Sequence, residues 1–150
     1  MPATGWLNWG GEQRTTAPTS YTNNTPTTIM SVPLVAGRTY GFDGYIPVTA
    51  GGNAGGVQVV LNASAGLTAT AIICDSKINS NNVSVGQVQV SSITTLSSAV
   101  MGAATGFVEF YGTITVNAGG TLNIQTAQSA SNATTMTIGQ GARIMVHDIP

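Results

Sequence analysis

Gly106–Gln128, GFVEFYGTITVNAGGTLNIQTAQ, carries the pattern on which the reading of the whole chain turns. In its first half Val108, Phe110, Ile114 and Val116 share one parity, and Phe107, Glu109, Tyr111, Thr113 and Thr115 share the other. Successive side chains of a strand point to opposite faces, so this is a strand with one face in a core. Leu122, Ile124 and Thr126 then alternate with Asn123, Gln125 and Ala127 in the same way. Between the two runs lies Asn117-Ala118-Gly119-Gly120. That connection predicts a tight reversal, with the glycines at positive φ and the two strands paired as a hairpin.

Outward from this stretch the same alternation repeats. TTIMSVPLV, from Thr27, reads as a strand at a sheet edge, because Pro33 has no N–H to give to a ladder. In TYGFDGYIPV, Tyr40, Phe42, Gly44, Ile46 and Val48 share one face, and Gly41, Asp43 and Tyr45 the other. AGGNAGG reads as a loop, and Val57, Val59 and Leu61 point inward from the strand after it. TATAIICDSKI is nearly continuous in apolar residues at its middle, which predicts burial on both faces. In GQVQVSSITTL, Val88 and Val90 alternate with Gln87 and Gln89. LSSAVMGAAT reads as a helical turn or a loop, and MTIG and ARIMVHDI are the last strands. Helical periodicity is absent. The chain is therefore expected to be all-β, an antiparallel β-sandwich of eight or nine strands, a number that suits a jelly roll. An immunoglobulin-like sandwich is the alternative. It usually holds a Trp between its sheets, whereas Trp6 and Trp9 both precede the first strand here.

The sandwich is expected over 27–150, preceded by an extended N-terminal arm over 1–26. The arm is rich in Thr, Pro, Asn and Gly, and its large apolar anchors are Trp6, Leu7, Trp9 and Tyr21. Such a segment cannot alone bury enough surface to offset its ordering entropy, so it must lie on something. Its own domain, a neighbouring subunit or a larger surface could each serve, and Trp is enriched at binding hot spots.

Composition narrows the function classes. Hydrophobic residues make up 42% of the 150, enough for a core, but only 6% are charged, against about 25% in an average soluble domain. A lone domain relies on charge to stay dispersed, and a net charge of -1 gives almost no self-repulsion. That favours a subunit covered by neighbours over a solitary Thr-rich domain. Arg14, Arg38, Lys77 and Arg143 are scattered along the sequence and predict no nucleic-acid footprint. No apolar run reaches the ~18 residues of a membrane span. MPATGWLNWGGEQ has neither the basic start nor the apolar stretch of a signal peptide, so the glycosylation sequons at Asn23, Asn62, Asn82 and Asn132 read as accidental. Cys74, the single cysteine, allows no internal disulfide.

No residue set announces catalysis. His147 is the only histidine, and its neighbour Asp148 points to the opposite strand face, so neither a triad nor a histidine metal site is expected. Asp43 and Glu109 lie on outward faces and could approach each other, with Tyr45, Phe107 and Tyr111 beside them. A glycosidase pair of that kind is the weakest of the readings. The acids look too scattered for a calcium loop, the glycine runs precede no helix, and no cofactor is expected. Tyr45, Phe107 and Tyr111 on the side that should be wet predict a subunit contact.

These segments resemble a family. AGRTYGFDGYIPV with Gly37, Tyr40, Phe42 and Gly44, the late hairpin ending at Ala127-Gln128, and the closing GQGARIMVHDI are similar to the small jelly-roll proteins of tailed-phage virions, over roughly residues 30–150. The resemblance implies a capsid decoration (cement) protein. Such a protein would be a homotrimer on the outside of the head, made in the host cytoplasm and bound to the major capsid protein, with an N-terminal arm that grips the shell. The same resemblance leaves open a receptor- or carbohydrate-binding head of a fibre or tail protein.

Overall fold

A computed structural model of the chain describes residues 9–50, 55–81, 83–99, 101 and 105–150, and every regular element among them is a strand. In chain order these are β1 (Trp9–Arg14), β2 (Thr19–Tyr21), β3 (Thr27–Leu34), β4 (Thr39–Ala50), β5 (Val57–Ser64) and β6 (Thr68–Ser80). There follow β7 (Val83–Val90), β8 (Thr95–Ala99), β9 (Thr105–Ala118), β10 (Gly120–Ala127), β11 (Met136–Ile138) and β12 (Arg143–Ile149). They form two antiparallel sheets packed as a sandwich. The large sheet runs β1-β12-β4-β9-β6-β7, with β11 and β2 continuing the β12 and β1 side, and the small sheet runs β3-β10-β5-β8. From β3 to β10 the chain mostly alternates between the sheets, in the orders 3-10-5-8 and 4-9-6-7. That order agrees with the jelly-roll expectation.

The core lies between the sheets and is built by the predicted parities. Phe42, Ile46, Val48, Val108, Phe110, Ile114 and Val116 from the large sheet meet Met30, Val32, Leu122, Ile124, Val57, Val59 and Leu61 from the small one, all buried. Pro33 does sit on an edge strand, since β3 ends the small sheet.

Three local expectations are corrected. First, Gly106–Gln128 is not a hairpin: β9 pairs with β4 and β6, and β10 with β3 and β5, so the connection carries the chain from one sheet to the other. Neither Gly119 nor Gly120 has positive φ. Gly120 is needed for close approach, because a Cβ there would lie 2.4 Å from the Leu67 amide nitrogen and 2.7 Å from the Ser64 carbonyl oxygen. Second, β6 is buried on one face only. Ile72 and Cys74 point into the core while Ile73 is 55% exposed, because among the described residues no further layer covers the large sheet. Third, the segment read as a helical turn or loop contributes strand β8, paired with β5.

The N-terminal segment is the larger surprise. From Trp9 it is part of the sandwich: β1 pairs with β12, and β2 with β11. Thr15 fastens the junction, its N–H donating to the Ala142 carbonyl at 2.8 Å and its carbonyl accepting from the Gly141 N–H at 3.0 Å. Tyr21, expected to anchor an arm, is a core residue at 6% exposure. Its hydroxyl accepts a hydrogen bond from Thr126 Oγ1 at 2.9 Å, which ties the two sheets together. Trp9 opens β1 opposite His147. Trp6 and Leu7 lie outside the described residues.

Candidate functional site

The strand registers bring together what looks scattered in the sequence. On the outer face of the large sheet one cross-strand row reads Arg14, Arg143, Tyr45, Glu109, Lys77 and Gln87. The next outward row reads Glu12, Met145, Asp43, Tyr111, Asp75 and Gln89. Every charged residue of the chain except Arg38 and Asp148 stands in these two rows, and those two form an ion pair with each other. The outer face of the small sheet carries no charge. It is tied by amide and hydroxyl bonds: Ser31 Oγ donates to Asn123 Oδ1 at 2.7 Å, Asn123 Nδ2 to Ser64 Oγ at 2.8 Å, and Gln125 Nε2 to Thr28 Oγ1 at 3.1 Å.

The two charged rows enclose a shallow trough of about 340 Å³, open to solvent. Asp43, Tyr45, Asp75, Lys77, Gln87, Glu109, Tyr111 and Arg143 give it its chemistry. Its centre is Tyr111, 61% exposed, with Asp43 directly opposite on β4 and Asp75 directly opposite on β6. Residues so placed have Cβ atoms about 4.5–5.5 Å apart, so a carboxylate stands on each side of the ring. One row along, Glu109 lies between Tyr45 and Lys77, and Arg143 follows Tyr45. At that end Tyr45 stacks on Phe107, ring centroids 5.4 Å apart and planes 30° from parallel.

The ions of the trough are not used up on one another. Among the described residues the ion pairs are Arg14–Glu12 and Arg38–Asp148, so Lys77 and Arg143 have no carboxylate within salt-bridge reach. Asp75 accepts a hydrogen bond from Gln89 Nε2 at 3.0 Å. No group of three or more His, Cys, Asp or Glu among the described residues is placed to hold a metal ion. Cys74, beneath the trough on the inner face, is buried, and that burial, with the Asp75 charge, pushes its thiol up to about 12. A thiol held protonated in this way is a poor nucleophile. His147 is exposed one row further on, its ring against Gly41.

Of the residues expected to matter, the structure thus gathers Tyr45, Phe107 and Tyr111 on one face with Asp43 and Glu109, and puts Tyr21 elsewhere, in the core. The convergence of Asp75, Lys77 and Arg143 on the same face was not read from the sequence. Its signal was present, since each occupies the outward parity of its strand, but the strand order that makes them neighbours was not.

No protein-family model matches the chain, and no curated protein does. Among solved structures it is similar to the crystal structure of the infectious bursal disease virus VP2 subviral particle, at 8% identity and a TM-score of 0.24 over 93% of this chain. It is similar also to the structure of the infectious bursal disease virus Gx strain, at 8% identity and a TM-score of 0.25 over 92% of this chain. In both cases the chain spans 39% of the other protein's length. At such scores the likeness decides nothing about role or partner.

Proposed function

We propose that the chain is a structural subunit of a virion, a decoration protein that sits on the outside of a phage head as a homotrimer and binds the major capsid protein. One observation carries this reading: outside a single sheet face, the surface holds no charge beyond the mutually paired Arg38 and Asp148. A freely dispersed domain has little reason to be so neutral, whereas charge is depleted at the centres of protein interfaces. The resemblance of the Gly37–Gly44 and Ala127-Gln128 segments to virion jelly rolls points the same way. The mechanism is mass action, since a subunit that binds only the assembled shell stabilises that shell. No reaction, cofactor, nucleic acid or membrane belongs to this reading.

The fold alters where the contacts are sought. A trimer packed through Tyr45, Phe107 and Tyr111 would have to bury Asp43, Asp75, Glu109, Lys77 and Arg143 as well, which is costly unless each is paired. The uncharged edge at β7 is the better self-contact. Capsid grip by the N-terminal segment rests on residues 1–8, because a cut at residue 26 would remove β1, β2 and the buried Tyr21.

The test is co-sedimentation with purified empty heads of the virion that carries this protein, using the full chain and a chain lacking residues 1–8. Stoichiometric binding by the full chain is expected, weakened by the truncation. If neither form sediments with heads, the decoration reading is wrong.

A further inference from the structure

The trough on the large sheet is unexplained by a shell role, and its chemistry identifies a class of ligand. We propose that it binds a polyhydroxylated neutral ligand, a saccharide, with Tyr111 as the stacking platform and Asp43, Asp75, Glu109, Lys77 and Arg143 as hydroxyl partners.

Asp43, Asp75 and Glu109, when ionised, only accept hydrogen bonds, whereas Lys77 and Arg143 only donate. A ligand that satisfies both sets over a few ångströms must offer groups that donate and accept. The hydroxyl does both, and a sugar ring carries several in a fixed array. A polyanion would meet three carboxylates against two cations, and a polycation would meet Lys77 and Arg143, so neither matches the lining. A divalent cation is disfavoured because, among the described residues, no three acids stand close enough together to ligate one. A purely apolar ligand would strip water from five ions and return nothing for it.

The aromatic group supplies the remaining element. Tyr111 is 61% exposed at the middle of the sheet's outer face, and its cross-strand neighbours on both sides are aspartates. A sugar lying with its apolar C–H face on the ring would carry its edge hydroxyls outward, toward Asp43 on β4 and Asp75 on β6. The Gln89 bond to Asp75 fixes one of those carboxylates before a ligand arrives, and strand-borne groups are held more rigidly than loop-borne ones. Tyr45, which lines the trough, is itself held by its stack on Phe107. At about 340 Å³ its volume is at the lower end of the roughly 300–1,000 Å³ of small-molecule sites.

This inference goes beyond the shell role and is independent of it, because the isolated chain should bind without any capsid. The probes are neutral oligosaccharides (maltohexaose, cellohexaose, chitohexaose and mannohexaose), with dextran sulfate as the polyanion control, titrated against the full chain by calorimetry and saturation-transfer NMR. Binding of at least one neutral probe is expected, with Tyr111→Ala and Asp75→Asn each weakening it ten-fold or more and thermal stability unchanged for Tyr111→Ala. Lys77→Ala should weaken it less, and His147→Ala, one row beyond the trough, not at all. The proposal is overturned if no neutral probe binds, if only dextran sulfate binds, or if bound probes are indifferent to Tyr111→Ala and Asp75→Asn. It is equally overturned if Tyr111→Ala abolishes co-sedimentation with heads while saccharides do not compete, since the face would then be a protein contact. Failure to bind heads at all would leave the saccharide result standing.

Discussion

Phe110 fills the space above Gly44, its partner across the β4–β9 ladder, and a Cβ added at Gly44 would lie 2.0 Å from the ring's Cζ. The relation is reciprocal. Phe42 stands opposite Gly112, where an added Cβ would come within 3.0 Å of the Phe42 ring and 2.2 Å of the Ile73 carbonyl oxygen. Two phenylalanines therefore fit side by side on one sheet, 6.4 Å between centroids, only because each faces a glycine. Gly44→Ala should overpack the core and cost about 1–3 kcal/mol or more, read from urea unfolding. A second substitution that shortens the ring, Phe110→Leu, should recover part of that loss. Additive single effects would show that the ring moves freely and that the pairing is incidental.

Gln128 organises the opposite end of the sandwich. It is fully buried, and its amide donates to the carbonyls of Tyr21 at 3.2 Å and Thr134 at 2.7 Å and accepts from the Asn132 N–H at 2.8 Å. Gln128→Leu keeps the bulk and removes all three bonds, of which the one to the Tyr21 carbonyl is buried and those to Thr134 and Asn132 are partly open to water. At about 1–3 kcal/mol for each buried group left without a partner, it should be among the most destabilising polar substitutions in the chain. Thr126→Val removes the donor to the Tyr21 hydroxyl and should cost about 1 kcal/mol. Hydrogen exchange checks both, and protection at β2 and β11 should fall first. Unchanged protection there would mean that this cluster does not hold the N-terminal segment.

How much of this was legible beforehand follows from what strand parity can and cannot carry. Parity placed Phe42, Ile46, Val108, Phe110 and Ile114 inward and Asp43, Tyr45, Glu109 and Tyr111 outward, because inside and outside is a property of each strand alone. It could not show that β9 and β10 belong to different sheets, since a hairpin and a crossover leave the same alternation on either side of Asn117–Gly120. Ile73 was misplaced because a run of Ala, Ile, Ile and Cys reads as two buried faces even when one of them is wet. The segment from Trp9 to Tyr21 was read as a separate arm because Gly, Thr and Pro hide an edge strand that is held by β12 and β11, not by its own propensity. The trough was missed for the same reason as the sheet order: Asp75, Lys77 and Arg143 become neighbours of Tyr111 and Tyr45 only through long-range pairing.

Cys74 makes the protein sensitive to alkali. Burial raises its thiol from 9.0 to about 12 in the folded chain, while the unfolded chain releases the same proton near 9. Above that pH the folded state holds the proton and the unfolded state does not, so the stabilisation is complete below pH 9 and is lost as pH rises toward 12. At about 1.4 kcal/mol per unit, roughly 2 kcal/mol of stability should disappear between pH 7.5 and pH 10.5. The Tyr21 phenol, also raised by burial, adds to the loss in the same direction. Cys74→Ala should be less stable than the parent at pH 7.5 but should show a smaller drop on going to pH 10.5. Denaturant melts at the two pH values make the comparison, and an equal drop in both proteins would remove Cys74 as the cause.

The edge at β7 is where self-assembly should be read. The other long-sheet edge carries Glu12 and Arg14 on β1, and the small sheet's β3 edge carries Pro33, both devices that discourage pairing with another chain. β7, VSVGQVQV, has neither charge nor proline, and Val83, Val85 and Val88 are 63%, 37% and 41% exposed on it. An unguarded apolar edge in an isolated protein is an aggregation hazard, so its persistence here fits an edge that is covered by another copy of the chain. Val83→Lys and Val85→Lys put charge on that edge without touching the core, so the monomer should keep its stability within about 0.5 kcal/mol. Sedimentation equilibrium should then show the parent as a trimer and the double variant as a monomer, with head binding weakened through the loss of avidity. A double variant that remains trimeric would move the contact away from β7. A parent that is monomeric at every concentration would end the trimer reading.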